Sequence, residues 1–167
     1  MALPVPAFAH RLALKIAHRV RLVYWRASGA EVHGCNVVVS DNQGAILLVR
    51  HSYQASGLWM LPGGGLKRGE HVANAAVREV LEETGCRIVE IATFGVDRTT
   101  FGGGSRNNVH LVSAATSDSP QADGRELLEA AFFALDALPA EITGAAAERV
   151  RRWLEWRVSV EADAGSE

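Results

Sequence analysis

The sequence predicts an α+β fold in which a mixed β-sheet is covered by helices on both faces. Three observations carry that expectation. Apolar runs of strand length recur between residues 36 and 135, bounded by turn residues. Stretches with helical spacing occur near residues 8–25, 71–84 and 145–158. Strands and helices are interspersed without the strict alternation of a parallel βαβ sheet. At 167 residues the chain fits a single domain long enough to bury a core.

The elements follow in order. After Pro4 and Pro6, Leu12, Ile16, Val20 and Val23 fall near one face of a helix over residues 8–25. Its other face is basic: Arg11, Lys15, Arg19, Arg21 and Arg26 precede Glu31, the first acidic residue. Residues 1–30 are therefore read as a basic helical extension, residues 31–160 as the main domain, and residues 161–167 as a polar tail. The extension either packs on the domain with its charged side in water or meets a phosphate-rich or membrane-surface partner.

Two apolar runs, residues 36–40 and 45–50, flank Asp41-Asn42-Gln43-Gly44, a turn sequence that predicts a β-hairpin. Residues 52–65 are a long connection. A helix over residues 71–84 follows, with Gly85 suited to the left-handed position just past its end. Residues 87–96 and 107–115 read as strands separated by the flexible Gly102-Gly103-Gly104 loop. A polar loop at 117–124, a short strand at 130–135 and a closing helix at 145–158 complete the chain.

Composition excludes several classes. With 48% apolar and 22% charged residues and a net charge of −2, the chain has no bulk attraction to nucleic acid. Cys35 and Cys86 lack metal-type spacing and suggest a reducing cytosol. No apolar run approaches the roughly 20 residues that span a bilayer, so integral membrane association is not expected. His10, Arg11, Lys15, His18 and Arg19 interrupt the N-terminal apolar residues, so no signal peptide is expected and a cytoplasmic location is.

The helix at 71–84 carries the chemistry. At about 100° per residue, Glu79, Glu82 and Glu83 share one narrow arc. Val80, Ala73, Thr84, Val77 and Leu81 form the expected buried face beside it, with small Ala75 inside the acidic arc. Glu79 and Glu83 are an i,i+4 like-charge pair, unfavourable by a few tenths of a kcal/mol. Glu82 and Glu83 also face the negative end of the helix dipole, at about 0.3–1 kcal/mol each. Arg78 relieves part of this, and a divalent cation such as Mg²⁺ or Mn²⁺ would relieve the rest through carboxylate oxygens. A solvated acidic face is the competing reading. Just ahead lies Leu61-Pro62-Gly63-Gly64-Gly65, whose glycines permit close approach of backbone to a ligand or metal. Glu70 sits at or before the helix start, where it is expected to cap and to face the same site.

These residues carry a resemblance. Gly64, five residues, Glu70, seven residues, then Arg78-Glu79-Val80-Leu81-Glu82-Glu83-Thr84-Gly85-Cys86 resembles the Nudix box, G-x5-E-x7-R-E-U-x-E-E-x-G-U with U aliphatic. All fixed positions are present, and Cys86 in the last aliphatic slot is the one departure. The similarity extends from about residue 34 to 156. It implies the Nudix α/β/α sandwich and Mg²⁺-dependent hydrolysis of a phosphoanhydride bond in a nucleoside-diphosphate-linked substrate, with Mn²⁺ as a substitute. By that resemblance Glu79, Glu82, Glu83 and the Gly64 carbonyl bind metal, Arg78 orients the glutamates, and Gly63, Glu70 and Gly85 are structural. The general base is left open among Glu79, Glu82, Glu126 and Glu129.

Substrate contacts are expected outside the box. Arg50 and His51 end a strand, and Arg98, Arg106, Asn108 and His110 surround the glycine loop; a surface ion pair or a satisfied strand residue is the competing reading for each. Trp59, Trp153 and Trp156 are expected in the core rather than stacked on a base. Marks of the ADP-ribose, dinucleoside-polyphosphate, NADH-cleaving and coenzyme A-cleaving subtypes are missing, which leaves nucleoside triphosphates, nucleotide sugars or broad specificity. Two alternatives stand beside hydrolysis: a non-catalytic Nudix-like nucleotide-binding regulator, and an RNA-directed Nudix hydrolase using the basic N-terminal helix. A homodimer is kept open.

Overall fold

The structure is a computed structural model that describes residues 31–52, 57–100, 106–122 and 127–165. The helix expected over residues 8–25, the Gly102-Gly103-Gly104 loop and Glu126 lie outside the described residues.

The hairpin forms because Asp41 organises its turn: Oδ1 accepts from the Gln43 and Ala45 backbone N–H groups at 2.9 and 2.8 Å. It joins β1 (Glu31–Ser40) to β2 (Ile46–His51). The two strands pair only at Ser40↔Ile46 and then splay apart. The segment expected as mere connection fills the gap. Val37 N–H donates to the Pro62 carbonyl at 2.9 Å, and Val49 and Met60 exchange both backbone bonds. Strand β3 (Gly63–Gly65) then pairs antiparallel with β1, Cys35 opposite Gly64. The glycine run is thus part of the sheet.

The remaining elements are α1 (Val72–Thr84), β4 (Val89–Thr100), β5 (Arg106–Ala115), β6 (Leu127–Phe133) and α2 (Gly144–Ala164). The sheet order is β4-β5-β1-β2-β6, with β3 on β1. β1 and β5 run parallel and the other pairs antiparallel, giving the mixed sheet expected. Strand alternation divides the core between the two faces. Cys35, Val37 and Val39 pack with Ala75, Ala76 and Val80 of α1. Val38, Ile46 and Leu48 pack with Ala146, Val150 and Trp153 of α2, whose i, i+4, i+7 spacing makes one apolar stripe. Trp59 and Trp153 are core residues, and Trp156 stacks on Phe94.

Helix α2 starts at Thr143, whose side chain accepts from Ala146 N–H at 3.2 Å. It runs past residue 158 to Ala164, so Glu161 and Asp163, read as tail, are helical; Arg157 pairs with Glu161 at 3.1 Å along this last stretch. Strand limits also shift: β4 reaches Thr100, and β6 begins at Leu127 and stops at Phe133. Among the described residues no helix is long and apolar enough to cross a membrane.

Candidate active site

Helix α1 begins at Val72, two residues after Glu70. The N-cap is His71, whose Nδ1 accepts from Ala73 N–H at 3.3 Å, so the cap expected of Glu70 belongs to histidine. Glu70 instead braces the loop. Its carboxylate accepts from Lys67 N–H at 2.8 Å and from Arg78 through Nε and a terminal nitrogen at 2.9 and 2.8 Å. This two-pronged pairing matches the planar guanidinium to the carboxylate. At the other end Gly85 takes φ 74°, and its N–H closes on the Leu81 carbonyl at 2.9 Å.

The arc of glutamates points differently from the expectation. Val77 and Leu81, expected to be buried, are 37% and 45% exposed, whereas Ala75 and Ala76 are fully buried. The buried face is rotated toward the acidic arc, because α1 packs its smallest side chains against the sheet beside β3. Glu79 and Glu83 therefore point at the glycine strand, with side chains only 15% and 14% exposed. Glu82 stays at the rim at 59%.

Each inward carboxylate has a fixed partner. Arg78 donates to Glu79 at 2.6 Å and to the Gly65 carbonyl at 3.1 Å, and lies 3.6 Å from Glu82. Glu83 accepts the Gly63 N–H at 3.0 Å, and its other oxygen lies 3.5 Å from His51 Nε2. A Cβ on Gly64 would land on the Glu79 carboxylate. Gly63, at φ 147°, has no room for one either: it would strike the Cys35 carbonyl and Asn36. Gly63 is thus required by close approach of backbone, and Gly64 by the place that the Glu79 carboxylate occupies.

The electrostatics of the brace are directional. The Arg78 guanidinium, with the Lys67 N–H, lowers the Glu70 carboxyl from 4.5 to about 2. A carboxyl lowered on folding stabilises the native state above its ordinary value and loses that contribution as pH falls through the lowered one. The melting temperature of the parent should therefore exceed that of Glu70→Gln above pH 4.5, and the gap should close between 4.5 and about 2. Thermal melts across that range test this; a gap independent of pH would mean that the ion pair contributes nothing. Burial pushes the Cys35 thiol up to about 11, so it remains an uncharged core group under β3.

The remaining candidates are dispersed. Arg50 lies 4.6 Å above the Trp59 ring, on the face that carries α2, and pairs with Glu129 at 3.2 Å. Neither joins the glutamate cluster there. Arg98 and Arg106 are exposed on β4 and β5. Asn108 is buried and donates to Glu31 at 2.7 Å. His110 stacks on His33, ring centroids 5.7 Å apart, and burial, then His33 and Arg98, hold its imidazole below the ordinary value. Near this pair a cavity of about 560 Å³ is lined by Glu31, His33, Gly65, Lys67, Arg68 and Glu70 among others. Sequence reasoning missed the backing of Gly63. Asn36 donates to the Cys35 carbonyl at 3.2 Å and accepts from Arg149, which Asp97 anchors at 2.8 Å. A lone asparagine inside the apolar run of β1 was the available signal.

Among the described residues no three His, Cys, Asp or Glu side chains are already drawn together as a metal cage. The donor set nevertheless suits a hard cation: two largely buried carboxylates face a glycine backbone and a third lies at the rim.

Comparison with known proteins agrees with the fold. A MutT NUDIX hydrolase from Burkholderia pseudomallei superposes with a TM-score of 0.64 at 26% identity, covering 73% of this chain and 97% of that one. A Bacillus subtilis protein named "Putative 8-oxo-dGTP diphosphatase" is 44% identical over 63 residues, 38% of this chain and 41% of that protein. An RNA pyrophosphohydrolase from Bartonella bacilliformis is 38% identical over 65 residues, 35% of this chain and 38% of that protein. The matches thus span about two fifths of these two relatives. The family model of the NUDIX domain matches residues 32–156, which include the glutamate helix and all of the sheet but its first residue, and the chain therefore belongs to the Nudix family.

Proposed function

We propose that this protein is a divalent-metal-dependent pyrophosphohydrolase that cleaves the phosphoanhydride bond of a nucleoside-diphosphate-linked substrate. One observation carries the reading: Glu79 and Glu83 are held against Gly63 and Gly64, by Arg78 on one side and the Gly63 N–H on the other. Nothing in packing requires two carboxylates there, and both the like-charge pair and the helix dipole oppose them. Glu79, Glu82, Glu83 and the Gly64 carbonyl would hold Mg²⁺ or Mn²⁺. A bound cation supplies charge neutralisation at the diphosphate and activates water.

The chain's own residues do the rest. Arg78 neutralises Glu79 and Glu70 and fixes the helix to the Gly65 carbonyl, so the site is rigid before substrate arrives. Glycines 63 and 64 bring backbone within reach of a phosphate without a side chain between. The cavity beside this strand is edged by Lys67 and Arg68 as well as by Glu31 and Glu70, and the two cations are the candidate contacts for an anionic substrate. Glu79 and Glu82 are the base candidates on this helix, and Glu129 is engaged by Arg50 on the other sheet face.

The test is a panel of nucleoside triphosphates, nucleotide sugars, dinucleotides and 5′-triphosphorylated or capped RNA with Mg²⁺ or Mn²⁺. Phosphate, pyrophosphate or mononucleotide should be released from at least one class, and addition of EDTA should abolish it. Silence across the panel would sink the enzymatic reading in favour of a ligand-binding regulator. An RNA-directed activity has specific support in the relative named RNA pyrophosphohydrolase. Under it, removing residues 1–26 should reduce RNA cleavage and leave small-nucleotide cleavage intact; equal loss on both would exclude a role for the basic segment.

A further inference from the structure

Strand β2 ends on two adjacent polar residues, and the alternation of a strand sends them to opposite faces. Arg50 goes to the Trp59 side. His51 turns toward α1, is only 5% exposed, and brings Nε2 to 3.5 Å from Glu83 Oε1. The pairing with β6 slips at this point: Arg50 faces Glu129 but His51 faces Leu127, so Leu128 is an extra residue. Such a bulge re-aims the side chains around it and is common beside active sites.

The other oxygen of Glu83 accepts the Gly63 N–H at 3.0 Å. A glutamate's terminal torsion is broad, so a free side chain presents its oxygens over a wide range of directions. With a backbone bond on one oxygen and an imidazole edge 3.5 Å from the other, the Glu83 carboxylate has little freedom to turn. Both contacts come from the sheet, β3 and β2, and not from the helix that carries the glutamate. Glu82 is 59% exposed and 3.6 Å from Arg78, and Glu79 is held by Arg78 of its own helix, so Glu83 is the box glutamate whose backbone bond and imidazole contact come from the sheet.

We infer that His51 is a positioning residue for Glu83: through Nε2 it fixes the direction in which that carboxylate meets a divalent cation, and it makes no substrate contact. The inference rests on the pyrophosphohydrolase reading for the identity of the cation's task, but its decisive measurement does not require turnover. Ligating carboxylates are themselves hydrogen-bonded, and loss of such partners typically lowers metal affinity or activity by about 10- to 100-fold.

The experiment compares the full chain with His51→Leu, His51→Gln and His51→Asn. Mn²⁺ binding is followed by the loss of the free-ion EPR signal, and steady-state kinetics use the best substrate of the panel. His51→Leu should weaken Mn²⁺ binding by about 10-fold or more and lower kcat to match, with the nucleotide KM within about twofold. His51→Gln, which keeps a donor at a reach similar to Nε2, should recover most of both, and the shorter His51→Asn should not. A raised KM with unchanged kcat would overturn the proposal in favour of a substrate contact. Unchanged Mn²⁺ affinity in the variants, or a parent chain that binds no Mn²⁺, would overturn it as well. If His51→Leu does not fold, the Gln–Asn contrast decides. If the parent binds Mn²⁺ but cleaves nothing, the hydrolase reading falls while the EPR series still settles His51.

Discussion

Glu83→Gln should lower turnover at least about 100-fold, equivalent to roughly 2.7 kcal/mol of lost transition-state stabilisation, while the melting temperature changes little. The reasoning separates charge from shape. A glutamine is isosteric with the glutamate, and its amide oxygen can still accept the Gly63 N–H that now reaches Glu83 at 3.0 Å. The fold contact therefore survives. What disappears is a full negative charge directed at the glycine strand, the property that a hard cation needs and that packing does not. Removing that charge also relieves the i,i+4 repulsion with Glu79 and the opposition of the helix dipole, so any stability change should be slightly favourable. Turnover within about threefold of the parent, in a variant with a parental melting curve, would show that Glu83 serves the loop and not the reaction. Purified protein, Mg²⁺ and any cleaved nucleotide suffice for the measurement.

Much of this site was legible before any coordinates, and the reasons are physical. Thirteen residues of helix with a glycine at its end announce themselves through period and cap, and α1 lies where the spacing placed it. That Arg78, Glu79 and Glu83 crowd together on one side of the helix was legible from their spacing alone. The direction of the arc was not. A helical wheel assigns carboxylates to water and valines to the core, yet Val77 and Leu81 face solvent while Glu79 and Glu83 face the protein. The local pattern cannot register that a neighbouring glycine strand offers room and an N–H donor.

The glycine strand was hidden for a related reason. Three glycines carry no apolar alternation, so β3 looks like a loop until β1 and β2 are seen to splay around it. Arg50 and His51 looked like one contact group because they are adjacent; the alternation that separates them was available, but the bulge at that point was not. Asn36 shows the same limit. Its role depends on Arg149, more than a hundred residues away in sequence, and on a backbone atom of Gly63.

Replacing Gly63 by alanine should destabilise the domain by about 2 kcal/mol or more, from two additive causes. The residue sits at φ 147°, a conformation that costs a side-chain-bearing residue about 1–3 kcal/mol. Its Cβ would also press on the Cys35 carbonyl and on Asn36, and neither is the loose end of a flexible chain. Overpacking of that kind costs about a further 1–3 kcal/mol. At about 2–4 °C per kcal/mol for a chain of this size, the melting temperature should fall by about 4 °C or more. Gly64→Ala makes the control. Its φ is not in the positive region, and the three atoms nearest its Cβ all belong to the Glu79 carboxylate, which ends a flexible side chain and can swing aside. That variant should melt near the parent temperature but lose about 10-fold or more in turnover, because Glu79 has left its place beside Arg78. Two neighbouring glycines should thus fail differently, one through the fold and one through the site. If Gly63→Ala melts like the parent, the wedge between β1 and β2 is not held as tightly as its contacts imply. If Gly64→Ala keeps full activity, Glu79 is not needed where the structure holds it.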